Sequence, residues 1–130
     1  MTAEAIDIGV STQIGSYADA VRIPAGHDQI VLSGTPGLGL DGSLASGIVE
    51  QATQAWRNVE AILTKGGAGL GDVVAVRQWL ISAEDVPGYM QARAQFITHQ
   101  TASMLAVIPA LVRPEFRIEI EVVAAVAGRS

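Results

Sequence analysis

Residues 111–126, LVRPEFRIEIEVVAAV, constrain the folding of this chain more tightly than any other stretch. From Phe116 onward apolar and charged residues alternate, with Phe116, Ile118, Ile120 and Val122 on one face and Arg117, Glu119 and Glu121 on the other. A period of two with β-branched residues specifies a strand, because successive side chains of an extended backbone leave on opposite sides. The apolar face demands a covering layer of helices. The opposite face sets two carboxylates and a guanidinium on a strand that ends in the wholly apolar Val122-Val123-Ala124-Ala125-Val126. Such a face either looks into water, with Glu and Arg pairing across strands, or lines a polar cleft.

The cover for the apolar face is written between Ser46 and Lys65. Ile48, Val49, Ala52, Ala55, Trp56, Val59, Ile62 and Leu63 keep to one helical stripe, while Glu50, Gln54, Arg57, Asn58 and Glu60 fall largely outside it. Ser43 or Ser46 is the expected cap, and Gly66-Gly67 the terminator. A second helix is expected from about Asp85, with Pro87 in its first turn and Val86, Tyr89, Met90, Ala94 and Ile97 as its apolar set, closing around His99. Between the helices, residues 72–81, DVVAVRQWLI, form a long strand with Arg77 and Trp79 on one face and Gln78 and Leu80 on the other. Met104–Ile108 forms another strand, which Pro109 ends. Near the N-terminus Ile6 and Ile8 allow at most a brief edge strand. Val21–Ile23 and Gln29–Ser33 are two short strands across a Pro24–Asp28 loop, which predicts an antiparallel hairpin. The order β-β-α-β-α-β-β, without repeat or linker, gives one domain over 1–130: an α+β fold with a mostly antiparallel sheet and two helices on one face.

Several function classes drop out on chemistry. With no cysteine in 130 residues there is no disulfide, thiolate nucleophile or cysteine-bound zinc. His27 and His99 stand far apart without ligand-spaced companions, so no metal site is expected. A net charge of −5, with Lys65 the single lysine and the arginines scattered, argues against a nucleic-acid surface. The apolar runs fall short of the ~18 residues a membrane helix requires, and the N-terminus lacks a secretory pattern. The expected setting is soluble and cytoplasmic. Gly37, Gly39 and Gly42 spell G-x-G-x-x-G, but Pro36 and Asp41-Gly42 mark turns and no acidic residue ends a following strand, so a structural loop is expected instead of a dinucleotide site.

Ile14-Gly15-Ser16-Tyr17-Ala18-Asp19-Ala20, Val31-Leu32-Ser33-Gly34, Gly71-Asp72-Val73-Val74 and Arg113-Pro114-Glu115-Phe116, leading into Ile118-Glu119-Ile120-Glu121, resemble in order and spacing the reactive-intermediate deaminase family, RidA or YjgF. The resemblance covers about residues 14–126. It implies a chorismate-mutase-like subunit assembling as a homotrimer, sheets inward and helices outward, with small-molecule clefts between subunits. It further implies cofactor-free hydrolysis of enamines and imines to a keto acid and ammonia. Glu121 and Tyr17 match the catalytic positions, Ser33 and Gly34 the substrate-binding strand end. The family's clamp arginine, in Pro-Ala-Arg-Ser, is replaced here: Thr101-Ala102-Ser103-Met104 puts Ser103 at that position, and Met90 stands where a cleft asparagine is usual. Ser103, Met90 and Leu105 would then line a greasier pocket for a ligand lacking the usual carboxylate. Arg77 and Arg113 are expected to pair with Glu119 or Glu121. A non-catalytic, metabolite-binding trimer is the alternative.

Overall fold

The computed structural model describes residues 3–128. Its strands are β1 (Glu4–Ile6), β2 (Ala20–Arg22), β3 (His27–Val31), β4 (Thr35–Pro36), β5 (Val73–Leu80), β6 (Ala102–Val107) and β7 (Ile118–Ala127); its helices are α1 (Ile48–Lys65) and α2 (Val86–Arg93). The alternating C-terminal run is β7, and the main sheet is built around it. The order is β3-β7-β5-β6, with the two-residue β4 also paired to β7. All pairings to β7 are antiparallel, whereas β5 and β6 are parallel. A parallel neighbour requires a crossover, and α2 supplies it.

The period of two decides the layers. Ile118, Ile120, Val122 and Ala124 of β7 join Val76 and Leu80 of β5 in one buried cluster with Ala52, Trp56, Val59 and Leu63 of α1 and Tyr89 of α2. Trp56 is fully buried and stacks on Phe96 at 6.3 Å between ring centroids. By alternation, Glu119, Glu121 and Val123 of β7 and Arg77 and Trp79 of β5 lie on the face without helices. The fold is therefore the expected α+β, chorismate-mutase-like arrangement.

Local details differ from expectation in instructive ways. The β2–β3 hairpin does not form: β2 pairs with β1 in a separate two-stranded sheet, and β3 pairs with β7. A short loop brings strands near each other, but the apolar edge of β7 is the better partner for β3, since Ile30 then packs against the core. Helix α1 begins at Ile48, and Gly47, not a serine, occupies its cap without a side-chain bond. Helix α2 ends at Arg93, well before His99, whose Nε2 instead lies 2.8 Å from the Val73 carbonyl oxygen. Strand β6 is only half buried, being the sheet edge.

Side chains hold the N-terminal arm where backbone pairing is sparse. The Asp19 carboxylate accepts the amides of Ile8 at 2.6 Å, Gly9 at 3.2 Å and Ser11 at 2.7 Å, while Asp7 accepts that of Asp19 at 3.0 Å. The Ile8 amide above all holds the Asp19 carboxyl below its ordinary range. A depressed folded-state value means that the stabilisation is present above the unfolded value of about 4 and is lost as pH falls through the folded one. Amide exchange at Ile8 and Ser11 is expected to lose protection on acidification below about pH 4, and Asp19→Ala to lack that protection at pH 7. Exchange insensitive to both would show that the arm is held by other contacts. The point bears on the site because Ile14–Tyr17, next along this arm, form one wall of a cleft.

Candidate functional site

The sequence-predicted residues fall into two groups within one chain. The first surrounds a cleft of about 500 Å³ between the arm, α2 and the β6 edge, where Tyr17, Met90, Ser103 and Leu105 meet. Each arrives for a local reason. Tyr17 stands just before an isolated parallel bridge from Ala18 to Ala102, and the Ala18 amide donates to the Thr101 carbonyl. Ser103 and Leu105 are two apart on β6 and share its face. Met90 is partly exposed rather than core, because its side of α2 looks into the cleft.

Two residues in this cleft carry no expectation from sequence. Gln78 is buried on β5 and organises the floor: its Nε2 donates to Ser103 Oγ at 3.0 Å and to the Met104 carbonyl at 2.7 Å, and its Oε1 accepts the Tyr89 hydroxyl at 2.5 Å. With the Ser103 oxygen occupied as acceptor, its own proton is free to donate to a ligand. Arg93 also lines the cleft. Both were recoverable from pattern: Gln78 is the polar residue in the apolar register of β5, and Arg93 lies three positions after Met90, on the same face of a helix.

The second group sits on β7. Between the pairs Val31↔Val123 and Thr35↔Ile120 the register shifts, so Leu32, Ser33 and Gly34 oppose only Glu121 and Val122. This bulge exposes Ser33 and Gly34 beside the acidic residues. Gly34 packs against the neighbouring carboxylate: a Cβ there would stand 2.8 Å from Glu119 Oε2 and push that side chain aside. Trp79 Nε1 donates to Glu121 Oε1 at 2.8 Å, and Glu121 Oε2 has no hydrogen-bond partner among the described residues. The expected arginine pairings do not form. Arg113 bonds Glu115 at 3.0 Å and lies over the Phe116 ring, and Arg77, though opposite Glu121 in register, makes no ion pair with it. Arg117 leaves the carboxylate face for Asp85, at 2.6 Å, because it precedes the regular strand.

Burial first, and then repulsion from Glu121, pushes the Glu119 carboxyl above its ordinary range. A raised folded-state value means that the charged form opposes folding, so stability is lost as pH rises through it. Glu119→Gln is therefore expected to raise Tm by a few degrees at pH 7, a gain that vanishes below about pH 4 where the carboxyl is protonated in both states. Thermal unfolding at the two pH values checks this, and equal Tm at pH 7 would refute the strained-carboxylate picture.

The glycine-rich loop has a structural job. Gly37 packs directly on the backbone carbonyl of Gln51 in α1, leaving no room for a side chain, and Asp41 closes a turn by accepting from the Ser43 amide and hydroxyl. Helix α1 starts several residues beyond the motif, so its N-terminus does not meet the glycines.

An α+β sheet with helices on one face, a carboxylate pair by a strand bulge and a polar-floored cleft at the sheet edge define a subunit of the chorismate-mutase-like class. The family model for endoribonuclease L-PSP matches residues 10–126, and the chain belongs to this family, that of the Rid and YjgF proteins. The Rid-family protein YyfB of Yersinia pestis is 25% identical, with 97% of this chain and 100% of that one covered and a TM-score of 0.82. A Mycobacterium tuberculosis member of the YjgF/YER057c/UK114 family is 27% identical, with 96% and 100% covered and a TM-score of 0.68. RidA from an Antarctic Psychrobacter, 24% identical with 87% and 90% covered and a TM-score of 0.72, shares the fold. No curated protein matches the chain. Among the described residues, no helix is long and apolar enough to cross a membrane.

Proposed function

We propose that the protein is a cofactor-independent hydrolase that deaminates a short, reactive enamine or imine, with Glu121 positioning and activating the attacking water. The observation that carries this reading is the state of Glu121: one oxygen is anchored by Trp79 and the other is not consumed by an ion pair. A carboxylate held in place yet open on one side suits general-base work. An enamine first takes a proton on its β-carbon from solvent to become the iminium, and water then adds to the C=N carbon as Glu121 takes its proton. The resulting carbinolamine, protonated on nitrogen, then collapses to a carbonyl and ammonia. Glu119, which holds a proton more firmly, is the natural donor for that nitrogen. Amides at the Ser33–Gly34 bulge and the Tyr17 and Ser103 hydroxyls orient the ligand.

In this reading the working unit is a homotrimer with sheets inward. One chain holds Tyr17, Met90, Ser103 and Leu105 in one group and Ser33, Gly34 and Glu121 in another, and a neighbouring copy would bring the two together. The second reading, a trimer that binds a metabolite without turning it over, is favoured by Ser103 standing at the clamp position. Ammonia release from 2-aminoacrylate or iminopyruvate generated in situ separates them. Release above the buffer rate supports the hydrolase, and release at the buffer rate supports binding alone.

A further inference from the structure

A loop that a single carboxylate holds shut carries Tyr17. Residues 7–19 connect β1 to β2, with a short 3-10 turn at Ser11–Gln13. At the far end of the loop the Ala18 amide donates to the Thr101 carbonyl at 2.9 Å and ties the chain to β6. At the near end the amides of Ile8, Gly9 and Ser11 converge on the Asp19 carboxylate, at 2.6, 3.2 and 2.7 Å. Gly9 makes that convergence possible, because its φ of 95° turns successive amides toward one point, the geometry of an anion-binding nest. The anion here is the chain's own side chain. Among the described residues no cation pairs with Asp19: Asp7 accepts the Asp19 amide at 3.0 Å, and Glu4 and Arg22 of the adjoining strands face each other. The hold on Ser11 reaches Tyr17 through the backbone. Ser11 is buried, and its carbonyl accepts the amides of Ile14 and Gly15, both at 2.9 Å. Gly15 in turn lies against the Tyr17 ring, since a Cβ on it would stand 3.5 Å from both Cδ1 and Cε1.

We propose that Asp19 is a positioning residue: by gathering the amides of Ile8, Gly9 and Ser11, its carboxylate sets the Ser11–Gly15 turn on which the Tyr17 ring rests, and so aims the Tyr17 hydroxyl. Its consequence for turnover rests on the hydrolase reading above, whereas its geometry is open to test without any substrate. Asp19 acts through Tyr17 and is not itself a ligand-binding group. Charge is what the task demands, because an ionised carboxylate accepts several amides at once and bonds each more strongly than a neutral acceptor does.

The test has a structural and a kinetic readout. The structural one is the nuclear Overhauser contact between the Tyr17 ring and the Gly15 α-protons, with the Tyr17 signals assigned by their loss in Tyr17→Phe. The wild type is expected to show this contact and Asp19→Ala to lose it. Asp19→Asn, which keeps one accepting oxygen, should retain it in part. Gly9→Ala leaves the carboxylate intact but strains the nest, and should weaken the same contact. The kinetic readout is ammonia release from 2-aminoacrylate. Asp19→Ala should lower kcat by roughly 10- to 100-fold, the scale of a misplaced reacting group, and should add nothing to the loss in Tyr17→Phe, where the hydroxyl it aims is gone. A merely structural role would give the same loss in both backgrounds. An unchanged ring contact in Asp19→Ala, or equal kinetic losses in both backgrounds, overturns the assignment. Should Asp19→Ala fail to fold, Asp19→Asn and Gly9→Ala carry the same comparison, and a full ring contact in both overturns it. If the wild type releases no ammonia but Asp19→Ala loses the contact, the hydrolase reading fails and this one stands. If the wild type releases ammonia and the contact survives in Asp19→Ala, the reverse holds.

Discussion

Glu121→Ala is expected to reduce ammonia release by roughly 10²- to 10⁴-fold, the range that a positioned acid–base group contributes, while leaving Tm nearly unchanged. The asymmetry follows from where the residue sits. Glu121 is half exposed on the helix-free face, so truncation opens no core cavity, and among the described residues the only side-chain bond it forfeits is that to Trp79. Glu121→Gln sharpens the reading, because its amide oxygen still accepts from Trp79 Nε1 and preserves the geometry, but it cannot take a proton from water. If the glutamine variant is as slow as the alanine one, proton transfer is the function of Glu121. If it retains most of the rate, Glu121 orients the substrate and the base lies elsewhere. Trp79→Phe, which frees the carboxylate without removing it, should give an intermediate loss.

The comparison of sequence with structure sorts by physical range. Strand β7 was legible because its two faces meet different surroundings, so every second residue repeats the same information. Helix α1 was legible for the same reason at a period of 3.6. The β1–β2 pair was not, since β1 is exposed along its whole length and no alternation marks it. The partner of β3 was missed because a loop between β2 and β3 suggests a local answer, whereas pairing was decided by β7 at the far end of the chain. At the site, position-by-position matching found the absence of an arginine at Ser103 but not the presence of Arg93. A charge can enter one cleft from either of two elements, and only the packing of α2 against the β6 edge shows that these positions face the same space.

Gln78 joins fold and site, and its replacement is the second change expected to act strongly. In Gln78→Met the side chain keeps its approximate volume but loses both its acceptor for Tyr89 and its donors to Ser103 and Met104. Tyr89 is fully buried, and burial pushes its hydroxyl well above the usual range, so it remains a proton donor with nowhere to donate. An orphaned buried donor costs about 1–3 kcal/mol, and the lost bond to the Met104 carbonyl adds to it, so chemical denaturation should show a loss of roughly 2–4 kcal/mol. The diagnostic step is Tyr89→Phe in the same background. Removing both partners leaves an apolar contact in place of an unsatisfied one, and the double variant should regain about 1–2 kcal/mol over Gln78→Met alone. Additive losses would mean that the hydroxyl finds another acceptor and that the two residues are not coupled. Cleft function separates from stability in this series: the double variant, though restabilised, still lacks the Gln78 amide that fixes Ser103 Oγ, so its release of ammonia from 2-aminoacrylate should stay impaired while its fold recovers.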